Sequence, residues 1–412
     1  MLTIAGSGIN LYSLAEISKK VQLSQFDCLI TDVNFDNGEN RALIPSGVDA
    51  YFLPFKEIRP FIKERYLQNK RILYAVTGSP IFFSATKSVL EFLEKEIPEF
   101  NAEKVNILSA ESSKDYILRK LNILENEVTS LSLHGRDYLD LTKFLATKYT
   151  FLLCDEYSLQ KIADDTRFIQ DDLNFYIGSK LGSEDERIVE FDLHKAVKEM
   201  NLEEIRQALV PYVLLVERKY DVSQSFSNNE EFATNAGMLT KTDKRSITLQ
   251  SLELKPNLLM WDIGAGSGSI SIDAYKIFKI RSILFEKNQE QCEFIKKNLA
   301  AHKIVGVQLY KGDVLENYKD LPKPDRIFIG GGGEKVLNKI EKLYYELKED
   351  GLVVVNVVVL ENMSELIQTL RKADIKYSVR SIDITNYKKI SQEIKLSIAE
   401  SERTLFQVII KK

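Results

Sequence analysis

The segment Trp261-Asp262-Ile263-Gly264-Ala265-Gly266-Ser267-Gly268-Ser269 places three glycines at alternate positions directly after a short apolar run. Where a strand hands over to a helix, glycines let backbone approach a ligand at distances a Cβ would forbid. A dinucleotide-binding turn wants its third glycine three places after Gly266, but Ser269 stands there and the glycine falls at Gly268. The spacing therefore points to S-adenosylmethionine, with its amino-acid end at Gly264, Gly266 and Gly268 and its sulfonium beside Asp262. Glu286 ends the next apolar run, where one carboxylate can accept both ribose hydroxyls. Asp313 ends the one after it, in place for the adenine amino group. One acid at a strand end is as often a helix cap; acids in register on successive strands describe a cofactor site.

Two further stretches frame these residues. Four glycines at 330–333, Gly330 and Gly331 among them, follow a fourth apolar run and precede a helical pattern starting near Glu334. They make room for a substrate, or for an anion at a helix N-terminus. Upstream, Met238-Leu239-Thr240-Lys241-Thr242-Asp243-Lys244-Arg245 sets three cations near the entrance of the fold. Taken alone, such a run is a solvated helix face.

The elements that must hold these residues alternate throughout. Short β-branched runs at 2–5, 28–31, 72–76, 105–108, 151–154 and 212–216 are separated by amphipathic stretches, the pattern of an α/β protein. Residues 217–231 turn polar and rich in Ser and Asn, which breaks the rhythm and suggests two domains, 1–217 and 218–412. The second half predicts strands at 258–263, 282–286, 307–311, 326–329, 352–359, 377–384 and 404–410, with helices between the first six. The last two face each other across a polar insertion at 386–402, so the final strand is expected antiparallel at the end of an otherwise parallel sheet. Seven strands with that ending resemble the class I, Rossmann-like methyltransferase fold.

Composition narrows the chemistry. The 412 residues are 44% hydrophobic and 28% charged, as in folded globular protein, and the net charge of -4 argues against a nucleic-acid partner. Cys28, Cys154 and Cys292, with His134, His194 and His302, are dispersed, so no disulfide framework and no metal site is expected. The N-terminus shows no basic-then-apolar leader, and the longest apolar run, 351–360, is interrupted by Asn356 and too short for a bilayer. The expectation is a cytoplasmic protein without membrane contact.

With these residues in view the chain resembles the bifunctional, decarboxylating precorrin-6Y (cobalt-precorrin-7) methyltransferases of cobalamin biosynthesis, which act at carbons 5 and 15 of the corrin precursor. The second half is similar through Leu239-Thr240-Lys241, Arg245, the 261–269 turn, Glu286 and Pro324-Asp325-Arg326-Ile327-Phe328-Ile329-Gly330-Gly331. The first half resembles the two-lobed tetrapyrrole methylases through Gly6-Ser7-Gly8, Gly78-Ser79-Pro80-Ile81-Phe82-Phe83-Ser84, Ser132-Leu133-His134-Gly135-Arg136, Leu181-Gly182 and Glu184-Asp185-Glu186-Arg187-Ile188. It departs from them in Ile9-Asn10, where Pro-Gly is usual, and in Ser79, where Asp commonly stands between Gly and Pro. The usual Gly and Arg after the second strand are not evident in Thr31-Asp32-Val33-Asn34.

The resemblance implies carbon-5 methylation by residues 1–217, with cofactor at Gly8, Gly78, Ser79, Pro80 and Gly135. It implies carbon-15 methylation, with loss of the carbon-12 acetate carboxyl, by residues 218–412, with cofactor contacts extended to Gly330. Thr240, Lys241, Arg245 and Gly331 become substrate-side catalytic groups, and Lys241, Lys244 and Arg245 suit the rim of a pocket for a polycarboxylate macrocycle. The implied partner is a small tetrapyrrole, with a tendency to form homo-oligomers. An RNA methyltransferase remains a rival, as does a chain whose first domain is only a scaffold. Cobalt-loaded and metal-free substrates are equally compatible with these residues.

Overall fold

The structure, a computed structural model, describes residues 1–235, 239–331, 333–389 and 397–412, with the side chains of 334, 388 and 389 left aside. Met238 of the cation run, Gly332 of the glycine run and 390–396 of the polar insertion lie outside the described residues.

The first apolar runs form a five-stranded parallel sheet. Its strands are β1 (Leu2–Gly6), β2 (Cys28–Asp32), β3 (Asp49–Leu53), β4 (Ile72–Val76) and β5 (Asn106–Leu108), in the order β3-β2-β4-β1-β5. Every residue of β1 and β4 is buried, as expected of central parallel strands covered on both faces. A second lobe holds β6 (Val128–Ser132), β7 (Tyr149–Leu153), β8 (Leu173–Ser179), β9 (Arg187–Glu190) and β10 (Tyr212–Arg218), in the order β6-β7-β10-β8-β9. Here β6 and β7 run parallel and the remaining pairs antiparallel.

The second domain carries β11 (Leu259–Ile263), β12 (Arg281–Glu286), β13 (Val307–Lys311), β14 (Arg326–Ile329), β15 (Leu352–Val357) and β16 (Tyr377–Ile382). A hairpin of β17 (Thr385–Lys389) and β18 (Ser397–Ser401) follows, then β19 (Leu405–Lys411). The seven-stranded order is β13-β12-β11-β14-β15-β19-β16, with β19 antiparallel to both neighbours. This is the class I arrangement the sequence predicts. One expectation fails: the apolar run 352–359 is not wholly a buried strand. It leaves the sheet after Val357, and Val358, Val359 and Leu360 are exposed at the start of the helix Leu360–Lys372.

Asn356, the polar interruption in that run, belongs to a buried network. Its Nδ2 donates to Thr248 Oγ1 at 2.9 Å and its Oδ1 accepts from Gln407 Nε2 at 2.9 Å, while Gln407 Oε1 accepts from Ser251 Oγ at 2.6 Å. Buried polar groups must be paired, and this pairing fixes the helix Thr242–Ser251 against β15 and β19.

The two domains share one apolar cluster. Leu141, Phe144 and Ile169 from the first pack with Tyr275, Ile304 and Val305 from the second. Within this border Arg281 grips Asp165 through two bonds, Nη1 to Oδ2 at 2.8 Å and Nη2 to Oδ1 at 2.7 Å. Asp165 also accepts from Leu139 N at 3.1 Å, and its carbonyl accepts from Gly306 N at 2.9 Å. Removing one partner of such a pair leaves a charge buried without its counterion. Asp165→Ala is expected to lower unfolding free energy by about 3 kcal/mol, read by urea titration of the whole chain.

Candidate active sites

In the second domain β11 delivers the chain into the glycine turn, and the helix Ser269–Phe278 leaves it. Gly264 has φ +71°, and a Cβ there would lie 2.6 Å from the Cα of Gly331, which follows the neighbouring strand β14. Two backbones thus meet with no side chain between them. Beside this contact is a crevice of about 230 Å³ walled by Gly264, Glu286, Lys287, Asp313, Gly331 and Val336. Gly266, Gly268 and Gly330 shape it without lining it. Gly266 N donates to Glu286 Oε2 at 2.9 Å, Gly268 precedes the helix in the left-handed region, and a Cβ on Gly330 would strike the Phe328 ring at 2.8 Å.

The acids divide by environment. Glu286 accepts from Gly266 N through Oε2 and from Asn288 N through Oε1 at 2.9 Å, so it braces the turn while facing the crevice. Asp313 accepts from Leu315 N at 3.0 Å, and its Oδ2 lies 3.1 Å from Lys287 Nζ and 3.2 Å from Lys335 Nζ. Burial opposes its ionisation, but the amide and the two ammonium groups more than offset this and hold the carboxyl below its ordinary value. A cradle that a Cβ would fill, flanked by the carboxylates that follow β12 and β13, fits S-adenosylmethionine.

Asp262 does not stand where the sequence suggests. It is fully buried, outside the crevice walls, with Oδ2 accepting from Ser271 Oγ at 2.7 Å and Oδ1 without a partner among the described residues. Burial pushes this carboxyl up to about 7, with the Glu286 charge acting in the same direction. It lies behind the turn, tied to the helix that leaves it through Ser271.

The expected rim cations need a larger correction. Arg245 has 0% exposure; its Nε donates to Asp273 Oδ2 at 2.7 Å and its Nη1 to the Thr240 carbonyl at 2.6 Å and Asn229 Oδ1 at 3.1 Å, while Nη2 bonds the Ser227 carbonyl. It is an internal strut that ties the chain around 227–242 to the helix Ser269–Phe278, and it cannot meet a substrate carboxylate. Lys244, nearly buried, lies 3.0 Å from Glu402 Oε2 and donates to the Arg403 carbonyl at 2.7 Å. Lys241 Nζ lies 3.3 Å from Glu402 Oε1, with its side chain 56% exposed, so it alone of the three remains open to solvent. Thr240, Lys241 and Arg245 are all outside the crevice lining.

In the first domain, the loops after β1 and β4 are bridged: Ser7 N donates to Val76 O at 2.9 Å and Gly8 N to Gly78 O at 3.0 Å. Gly8 and Gly78 both take positive φ, at 70° and 63°. Pro80 packs against Gly6, where an added Cβ would lie 2.6 Å from its Cδ. Gly8, Gly78 and Ser79 line a cleft of about 220 Å³ whose opposite wall, from the second lobe, includes Cys154, Leu181 and Tyr212. Buried Ser7 Oγ has no partner among the described residues, and these open glycine loops fit a cofactor. Gly135 departs from expectation: it sits in an exposed turn, its N donating to Asp155 Oδ2 at 3.2 Å, outside the cleft lining.

Sequence reasoning missed Lys287 and Lys335, the cations that hold Asp313, and Cys154 and Tyr212, which with Leu181 of the expected Leu181-Gly182 motif close the first cleft. Lys287 directly follows Glu286 at a strand end, which is a usable signal. The others are brought in from a different element or lobe, and spacing carries no sign of them.

Glu286→Ala removes the acceptor for Gly266 N together with the carboxylate facing the crevice. Calorimetry with S-adenosylmethionine should show affinity at this site lowered by ~10-fold or more. Asp262 supplies a pH test. Its carboxyl is raised in the folded state, so the stability it contributes is complete below the unfolded value of about 4 and is lost as pH rises to about 7. The melting temperature of the wild type, measured relative to Asp262→Asn, should therefore fall across that interval and level off above it.

A family model described as precorrin methyltransferase domain matches residues 230–400, and one described as tetrapyrrole (corrin/porphyrin) methylases matches residues 22–197. The probable cobalt-precorrin-6B C(15)-methyltransferase (decarboxylating) of Pyrobaculum calidifontis is 33% identical over 147 residues, 35% of this chain and 75% of that protein. The precorrin-6Y C(5,15)-methyltransferase [decarboxylating] of a Sinorhizobium species is 35% identical over 123 residues, 30% of each chain. A crystal structure of precorrin-6y C5,15-methyltransferase from Geobacter metallireducens, 32% identical, is covered over 97% of its length by 45% of this chain, with a TM-score of 0.43. Glycine turn, strand-end carboxylates and strand order agree with the two family models and the Pyrobaculum relative, and the chain belongs to the S-adenosylmethionine-dependent precorrin methyltransferases.

Proposed function

We propose that this chain methylates a corrin precursor, precorrin-6Y or its cobalt-containing counterpart, at carbons 5 and 15 and removes the carbon-12 acetate carboxyl as carbon dioxide. Residues 1–217 carry the carbon-5 reaction; residues 218–412 carry the carbon-15 reaction and the decarboxylation. The observation that supports this most is the presence of two separate glycine-walled crevices on one chain, at Gly8–Gly78 and at Gly264–Gly331.

S-adenosylmethionine, when bound, supplies a methyl group that is already activated. The protein's work is then to align the acceptor carbon and exclude water, which needs no side-chain nucleophile. In the second domain Gly264, Gly331 and Glu286 hold the cofactor and Asp313 its adenine end. Thr240, Lys241 and Gly331 face the macrocycle, with Lys241 offering charge to a substrate carboxylate. In the first domain Gly8, Gly78 and Ser79 form the cofactor wall. Electrons released on decarboxylation pass into the conjugated ring of the substrate. The reading includes a cytoplasmic location and homo-oligomers, for which exposed Val358, Val359 and Leu360 offer apolar surface. Among the described residues no helix is long and apolar enough to cross a membrane.

Incubation of the full chain with precorrin-6Y and S-adenosylmethionine, followed by mass spectrometry of the tetrapyrrole, tests this. Two methyl groups gained and one carbon dioxide lost is the expected result. One methyl gained with carbon dioxide lost would reduce residues 1–217 to a scaffold, and an unchanged mass would overturn the proposal.

A further inference from the structure

The first-domain cleft runs on into a second cavity of about 420 Å³, and the two share Ile9, Leu11, Leu181 and Pro211 in their walls. Among the described residues the cleft lining carries no charged side chain, and the second cavity carries one, Lys180. Leu11 lines both and Phe83 lines the cleft; each is exposed although large and apolar, as is neighbouring Ile81. Apolar surface left open around one cation suits a flat ring whose edge bears carboxylates.

The backbone of Lys180 is held firmly. It directly follows β8 with φ of 50°, the left-handed region that residues other than glycine mostly avoid and that recurs at functional sites. Its N donates to the Pro211 carbonyl at 2.9 Å, and its own carbonyl accepts from Ser183 N at 3.1 Å and Ser183 Oγ at 2.8 Å. Glu186 braces the turn that follows, with Oε2 accepting from Gly182 N at 2.8 Å and Oε1 lying 3.3 Å from Lys120 Nζ. From the facing lobe Ile9 closes on Gly182, where an added Cβ would fall 2.3 Å from Ile9 Cγ2.

The side chain of Lys180, by contrast, has no internal partner. Other lysines around the cleft are engaged: Lys20 Nζ donates to the carbonyls of Gly6 at 3.2 Å and Ser109 at 2.9 Å, Lys114 pairs with Glu125, and Lys120 pairs with Glu186. Among the described residues no carboxylate or carbonyl meets Lys180 Nζ, although the residue is half-buried. An ammonium held partly out of water without a counterion gains when an anion arrives.

We propose that Lys180 receives a side-chain carboxylate of the macrocycle and so anchors the ring in the first-domain cleft. It binds substrate and takes no part in bond making. The ion pair is made alike before and during methyl transfer, so it sets affinity and leaves the rate of the chemical step unchanged. This assignment rests on the carbon-5 reading of residues 1–217.

Lys180→Met keeps a long apolar stem and removes the charge. In the full chain it should raise the KM for carbon-5 methylation of precorrin-6Y by ~10-fold with kcat unchanged, while carbon-15 methylation stays as in the wild type. Lys180→Arg should restore most of the loss. Added salt should raise the wild-type KM and act far less on Lys180→Met. Melting temperature, and affinity for S-adenosylmethionine by calorimetry, should match the wild type. A fall in either alongside the KM change would make Lys180 a structural residue and overturn the assignment, as would a wild-type KM in Lys180→Met. A wild type that methylates carbon 15 alone would remove the carbon-5 reading itself, and this assignment with it.

Discussion

The approach of Gly264 to Gly331 is the constraint on which the second domain depends. A Cβ on Gly264 would fall 2.6 Å from its partner's Cα, closer than any packed side chain tolerates. That contact exists because β11 and β14 are neighbours in the sheet, and β12 lies on the other side of β11. The loops that leave these strands consequently converge from two directions on one spot, the glycine run from one side and Glu286 from the other. Strand order thereby becomes ligand geometry, as expected where an open α/β sheet changes direction.

Three carboxylates within a few residues of this spot have three different fates, and burial and partners decide which. Asp262, enclosed and with one oxygen unpaired among the described residues, is pushed up to about 7 by burial and lies outside the crevice walls. Glu286 is tied to two backbone amides and still faces the crevice. Asp313 is held ionised by Lys287 and Lys335. A cationic sulfur is best received where anions are pre-formed but already oriented, so that binding need not reorganise them. The first-domain cleft is walled instead by backbone loops at Gly8 and Gly78, with the Ser79 hydroxyl beside them.

Much of this was legible in the residues. The β-branched runs give all seven strands of the second sheet to within a residue or two, apart from the overrun past Val357. The displacement of the third glycine to Gly268 separates one cofactor class from another. What was hidden depends on distant partners. Arg245 reads as solvated because it begins a polar helix; it is buried because Asp273, far along the chain, sits opposite and four oxygen acceptors complete its shell. The hairpin of β17 and β18 is too polar and exposed to carry a period of burial. β8 went unread because Gly178 interrupts its pattern, and β3 because it is a half-exposed edge strand beginning with Asp49.

The border between the domains extends the same logic to the whole chain. Domains joined by a polar linker ordinarily move against each other, because their contacts are small and wet. Here the Asp165–Arg281 pair is almost without solvent exposure, and the apolar cluster around it draws on both halves, from Leu141 and Phe144 to Tyr275 and Val305. A cluster of that kind unfolds as a unit, so a loss of packing on either side is felt on the other. The same helix Ser269–Phe278 that leaves the glycine turn supplies Tyr275 to this cluster and Asp273 to Arg245. The first domain is thus coupled to the second domain's cofactor turn through this helix and through β12, which runs from Arg281 at the border to Glu286 at the turn, whether or not it performs chemistry of its own.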